Sequence, residues 1–210
     1  MVITLDKKSF VDHCATLAAM VASDLPPGGY DAVVGVYSGG SAVCTEFCHF
    51  FPLYGYAFRT DVVLQRPSTK KKKRFPGKML RFLPVALLDI MRIIEARCLM
   101  LARRSSGPRP AADVELSDGL KRALRVTDAP KILIIDDAID SGDTLFAVIE
   151  ALKLMNPDVA VKVAVISVTT KAPRVNADFS IYRNRTLIRF PWSLDYKMGA
   201  KTPGGIEPIS

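Results

Sequence analysis

The segment Ile132-Leu-Ile-Ile-Asp-Asp-Ala-Ile-Asp-Ser-Gly-Asp-Thr144 constrains the fold of this chain more than any other. Ile132 to Ile135 are four large apolar residues in a row, a run too short for a helix and suited to a central parallel strand covered on both faces. After a loop at 136–143, Thr144 to Met155 reads as a helix with Leu145, Ile149, Leu152 and Met155 near one face, stopped by Asn156-Pro157. Val161 to Val168 reads as the next strand. Strand, loop, helix and strand joined by a short crossover imply a right-handed βαβ unit, and so a doubly wound, parallel α/β sheet.

The same segment carries chemistry. Two adjacent carboxylates at the carboxyl end of a buried strand sit where α/β sheets place their ligands. Strand alternation should turn Asp136 and Asp137 in different directions, toward sugar hydroxyls, a divalent ion or a buttressing partner. Ser141-Gly-Asp-Thr144 opens the following helix, where free backbone N–H groups, a small glycine and two hydroxyls make an anion cradle. An acidic strand end beside a phosphate nest implies a ligand with both a ribose diol and a phosphate. Simple turn and helix capping would explain an isolated Asp-Asp, but it explains the whole string less well.

Elsewhere the chain reads as follows. Ser9 to Ser23 is an amphipathic helix with Ser9 as N-cap and Phe10, Cys14, Leu17 and Val21 on one face. Ala32 to Val36 is a buried strand running into Tyr37-Ser-Gly-Gly-Ser41, followed by a helix from Ala42 to Phe50. Tyr54 to Phe58 and Asp61 to Leu64 are further strand material. Met79 to Arg104 is helical, with Pro84 in its first turn; Asp89, Arg92 and Glu95 form a narrow polar stripe on an apolar cylinder. Such a helix is expected to be buried on several sides, inside the monomer or across an oligomer interface, and a homo-oligomer is the expected assembly. Leu116 to Val126 is a short helix.

Charge is unevenly placed. The 210 residues carry a net +8, yet Arg66, Lys70, Lys71, Lys72, Lys73, Arg74, Lys78 and Arg81 stand together with no acid among them. Without those eight the chain is balanced, 21 basic residues against 21 acidic. A basic loop at 66–81 suits a phosphate-rich partner, RNA through Lys70 to Arg74 included, or simply a solvated loop. The apolar run Val85 to Ala102 is broken by Asp89, Arg92, Glu95 and Arg97, so no membrane span is expected. The first residues lack the order of a secretory signal, and four scattered cysteines make no disulfide framework, which together point to the cytoplasm. One domain over 1–210 is expected, with a helical insertion at about 78–126.

The string from Ile132 to Thr144 resembles the phosphoribosyl-pyrophosphate (PRPP) signature of the type I phosphoribosyltransferases, closest to their 6-oxopurine branch. The resemblance covers roughly 30–65 and 130–195 and implies that family's sheet with a C-terminal hood segment. It implies Mg²⁺-dependent transfer of a 5-phosphoribosyl group from PRPP to a purine-like base, with release of pyrophosphate. By it, Asp136 and Asp137 would serve the ribose hydroxyls and the metal. Asp140 would exchange a proton at N7 of the base, and Ser141, Gly142, Asp143 and Thr144 would hold the 5′-phosphate. Ser38, Gly39 and Gly40 fall on the pyrophosphate loop, Lys171 against the exocyclic O6, and Leu187 and Ile188 on the hood, where the backbone of Ile188 meets the base. Phe190-Pro-Trp192 belongs to the hood or to packing.

Two positions depart from the family pattern. Ser38 stands where Lys or Arg is usual, and Leu187 where an aromatic side chain stacks on the base. Both suit an alternative reading, a catalytically drifted member that binds nucleotide or RNA as a regulator.

Overall fold

The structure, a computed structural model, describes residues 1–53, 57–64, 84–103, 110–183, 186–193 and 195–196, with the backbone alone over 95–103. The elements in chain order are β1 (Val2–Thr4), α1 (Lys7–Ser23), β2 (Ala32–Val36), α2 (Gly39–Phe50), β3 (Phe58–Leu64) and α3 (Val85–Arg103). A 3₁₀ turn (Ala111–Asp113), β4 (Val114–Glu115), α4 (Asp118–Val126), β5 (Lys131–Ile139), α5 (Asp143–Met155), β6 (Ala160–Val168), β7 (Phe179–Tyr182) and β8 (Leu187–Arg189) follow.

Six strands form the central sheet in the order β4-β3-β2-β5-β6-β7. All its pairings are parallel except β3 with β4. Side-chain alternation on fully covered strands divides the core in two. Val33, Leu133, Ile135, Ala164 and Ile166 pack on α1 and α2 through Leu17, Val21, Val43 and Phe47. Their neighbours Ala32, Val34, Ile132, Ile134 and Val163 pack on α4 and α5 through Leu120, Leu124, Leu145 and Leu152. Helices therefore cover both faces, the doubly wound arrangement that parallel β-branched strands require. Each such buried Leu or Ile contributes about 1.5–3 kcal/mol through the water it leaves.

From β2 the chain passes through α2 to β3, and from β5 through α5 to β6 on the opposite side. The strand order thus reverses between β2 and β5, the crevice where open α/β sheets bind ligands. A parallel pair, β1 with β8, forms the hood. Ser167 at the end of β6 ties to it by donating to the Thr186 carbonyl at 2.6 Å.

Several expectations are corrected. Asp6, not Ser9, caps α1, because its carboxylate accepts the Ser9 N–H at 2.7 Å. β5 runs on through Asp136 and Asp137 to Ile139, since β6 continues to pair with it as far as Val168. α2 begins at Gly39 rather than Ala42. The region 78–126 is not helical throughout: β4 extends the central sheet at its edge, and Ser117 caps α4 by accepting from Leu120 N–H at 3.3 Å. Strand material at Tyr54 to Tyr56, the N-terminal part of the helix at Met79 to Leu83 and the cluster Lys70 to Arg74 lie outside the described residues.

α3 is not enclosed. Leu88 is buried, but Leu87, Ile90 and Ile94, which share the face turned from the hood, are exposed because no described element covers them. Among the described residues, no helix is long and apolar enough to cross a membrane.

Candidate active site

β2 ends at Val36, whereas β5 continues four residues past its last pairing with β2, at Ile135, to reach Ile139. Asp136 and Asp137 therefore stand over the start of α2. The two carboxylates do not diverge as alternation suggested: both come against the first turn of α2. A Cβ at Gly40 would stand 2.8 Å from Asp136 Oδ1, and one at Gly39 2.1 Å from Asp137 Oδ2. Each carboxylate folds back along its own strand, Asp136 Oδ1 accepting Asp137 N–H and Asp137 Oδ1 accepting Ala138 N–H, both at 2.9 Å.

Burial pushes both carboxyls above the ordinary carboxylate value, and the charge of Asp137 raises Asp136 further. Two desolvated, mutually repelling carboxylates are an oxygen pair that awaits hydroxyl donors or a hard cation.

Beyond Ile139 the chain turns into α5 through Gly142, whose φ of +79° is left-handed and whose missing Cβ would stand 2.8 Å from Val175 N. Asp136, Asp140, Ser141, Gly142 and Thr144 line one polar depression at this turn. α5 starts at this depression, its first N–H, that of Asp143, donating to Ser141 Oγ at 3.3 Å. The Asp143 side chain is engaged elsewhere. It accepts from Ser141 Oγ at 2.8 Å and pairs with Arg174 Nε at 3.1 Å.

Thr169 places its hydroxyl 2.7 Å from Asp140 Oδ1 and 3.2 Å from the Ile139 carbonyl, which fixes that carboxylate at the mouth of the depression. Lys171 is exposed on the loop that follows β6. On the other side of the crevice, Ser38 is exposed at the N-cap of α2 and makes no capping hydrogen bond with its side chain. Gly39 and Gly40 begin that helix and present its positive end to the carboxylate pair.

Ile188 is buried in the core on the α1–α2 face, and Leu187 is half-buried. Trp192, expected as core filler, is 41% exposed and stacks on Phe190 at 4.8 Å while meeting Phe10 edge-on at 5.1 Å.

Sequence reasoning missed four residues here. Arg189, 1% exposed, donates to Asp195, Asp89 and Thr4; Arg92 joins it on Asp195. Burial raises Asp195, but the Arg189 hydrogen bond and the Arg92 charge outweigh it and hold the carboxyl below its usual value. Thr169 and Arg174 position the turn between β5 and α5 through Asp140, Ser141 and Asp143. The triplet spacing of Asp89 and Arg92 was the one signal for the hood contact, and it did not name the partner.

The phosphoribosyl transferase domain model matches residues 4–198. The chain belongs to that family. Solved phosphoribosyltransferases share its fold. The purine phosphoribosyltransferase of Pyrococcus horikoshii Ot3 aligns with a TM-score of 0.54 at 17% identity, over 95% of this chain and 99% of that one. The Helicobacter pylori xanthine-guanine-hypoxanthine phosphoribosyltransferase aligns at 0.55 and 17%, over 93% and 96%. A Neisseria gonorrhoeae protein crystallised with ppGpp aligns at 0.55 and 16%, over 91% and 89%. No curated protein matches the chain.

Proposed function

We propose that this phosphoribosyltransferase moves the 5-phosphoribosyl group of PRPP to a ring nitrogen of a purine-like base, with Mg²⁺, and releases pyrophosphate. The observation that carries the reading is the acid pair Asp136–Asp137 set between two helix N-termini, those of α2 and α5. One helix end suits the 5′-phosphate and the other the pyrophosphate, with the ribose hydroxyls bridging on the acids.

The donor set fits a divalent cation. Asp136 and Asp137 supply hard oxygens, and no group of three ligating side chains is present among the described residues. That matches a Mg²⁺ held by one or two carboxylates and completed by substrate oxygens and water. An anionic pyrophosphate at the start of α2 would otherwise face two carboxylates. Mg²⁺ bound by Asp136 and Asp137 would supply the charge that neutralises it.

The remaining work falls to the chain itself. The backbone from Ser141 to Thr144 anchors the 5′-phosphate, and Asp136 and Asp137 hold the sugar as its anomeric carbon gains positive character. Gly39 and Gly40 offer N–H groups to the departing pyrophosphate, with the Ser38 hydroxyl beside them. Asp140, held by Thr169, exchanges a proton at N7 of the base, and Lys171 faces its oxo group. Leu187 and Ile188 line the acceptor side.

PRPP-dependent pyrophosphate release across a panel of purines, pyrimidines and unrelated amines tests this. Turnover with at least one purine is expected; none with any acceptor would contradict it. One observation favours the second reading, a nucleotide-binding regulator in the cytoplasm: Ser38 brings no charge to the pyrophosphate side. Nucleotide binding without turnover would favour that reading, and the ppGpp seen in the Neisseria protein makes it a ligand to include. A homo-oligomer joined through the exposed stripe Leu87, Ile90 and Ile94 is part of the proposal, and light scattering reads it directly.

A further inference from the structure

Four of the eight residues from Asp136 to Asp143 are aspartates. The last of them, Asp143, is the first residue of α5, so its carboxylate could stand over the helix end that suits an anion. A fixed negative charge there would repel a phosphate. The fold turns it aside. Ser141, Gly142 and Thr144 line the polar depression, and Asp143, between them, is not among the described residues that do.

Arg174, in the loop between β6 and β7, holds that carboxylate. Its Nε pairs with Asp143 Oδ1 at 3.1 Å, while Ser141 Oγ donates to Asp143 Oδ2 at 2.8 Å. The guanidinium carbon lies 4.9 Å from the centre of the Phe146 ring, on the same turn of α5, a cation–π contact that keeps the side chain in place. The Arg174 backbone N–H donates to the Ser141 carbonyl at 2.8 Å, so the loop is fastened to the turn independently of the side chain. With 40% of the Arg174 side chain and 21% of the Asp143 side chain exposed, solvent screens the pair only in part.

The consequence rests on the proposed function, in which the start of α5 takes the 5′-phosphate. We propose that Arg174 is a positioning residue for that phosphate, acting through Asp143: it draws the carboxylate out of the cradle and cancels its charge. Arg174 is itself not among the described residues that line the depression, so its effect reaches the ligand through the acid and not by contact. An acid at the first position of α5 is then compatible with an anion at the same helix end, because its partner travels with it.

The test is calorimetric titration of ribose 5-phosphate into the wild type, Arg174→Ala, Arg174→Lys, Asp143→Asn and the double variant Arg174→Ala with Asp143→Asn. Arg174→Ala leaves the carboxylate uncancelled and should weaken binding by about tenfold, the effect of one unit charge a few Å away in a partly exposed site. Asp143→Asn leaves the guanidinium uncancelled and should tighten binding. The double variant, with neither charge, and Arg174→Lys, with both, should stay within about threefold of the wild type. These differences should shrink as ionic strength rises from about 0.01 to about 1 M. A purely structural lock predicts the opposite sign for the acid: Asp143→Asn would break the same pair and weaken binding at every salt concentration. That result, or unchanged affinity in Arg174→Ala, overturns the inference and leaves phosphoribosyl transfer standing. No PRPP-dependent turnover by the wild type with any base overturns the proposed function and this inference with it.

Discussion

Asp137 and Gly39 are in contact across the crevice: a Cβ at position 39 would stand 2.1 Å from Asp137 Oδ2. The acid pair can rest on the positive end of α2 only because that residue has no side chain. Gly39→Ala should force the Asp137 carboxylate aside and lower kcat/KM by about tenfold or more, the size of effect that misplacing a reacting group produces. Steady-state kinetics together with circular dichroism check it, the fold being expected to survive.

The acid pair should be a stability cost that function retains. Burial raises the pKa of both carboxyls in the folded state, so the fold favours their protonated forms. Their contribution is then most favourable below the unfolded carboxylate value and is lost as pH rises through the raised folded value. Asp137→Asn should therefore abolish turnover yet raise the melting temperature at neutral pH, with the gain shrinking in acid. Calorimetry from pH 4 to 8 reads both the sign and the trend.

The hood network should behave in the opposite sense. Asp195 is held below its ordinary value, so its stabilising contribution is present above the unfolded carboxylate pKa and disappears as pH falls through the lower folded value. Arg189 is buried between Asp195 and Asp89, and Arg189→Ala should cost about 3–5 kcal/mol by taking this partner from Asp89 and leaving Asp195 with Arg92 alone. Urea unfolding at pH 7 measures the loss, and the gap to wild type should narrow in strong acid.

Gly142 should be intolerant for two separate reasons. Its left-handed φ of +79° strains any other residue, and a Cβ would press on Val175 N at 2.8 Å. Gly142→Ala should cost about 1–3 kcal/mol of stability, and it should weaken phosphate binding at the turn by moving the first N–H groups of α5. Thermal melts with and without ribose 5-phosphate separate the two effects.

Much of this was legible in the chain because the central strands are apolar on both faces and their helices carry one apolar face each. Ala32–Val36, Ile132–Ile135 and Val161–Val168 announced themselves in that way, and the turn from Asp140 to Thr144 by its residue types. Strand ends were less legible. β5 continues through two aspartates because β6 keeps pairing with it, a tertiary effect that local polarity hides. The approach of Asp136 and Asp137 to α2 was invisible for the same reason, as it depends on β2 stopping earlier than β5. Nothing in the local sequence marks Arg189 as buried, because its partners Thr4, Asp89 and Asp195 come from distant or later parts of the chain. Leu87, Ile90 and Ile94 are exposed in the single chain, and apolar residues on a helix do not by themselves say whether the same chain or a second copy lies opposite them.

Calorimetric titration of PRPP with Mg²⁺ into the wild type and into Thr144→Ala, Asp136→Asn and Ser38→Ala tests most directly whether the β5–α5 turn grips the sugar phosphate. Saturable binding by the wild type is expected, weakened by about tenfold or more at Thr144 and Asp136, where charge-assisted hydrogen bonds are removed, and only slightly at Ser38. Undiminished affinity in the Thr144 and Asp136 variants, or no binding by the wild type, would contradict the account.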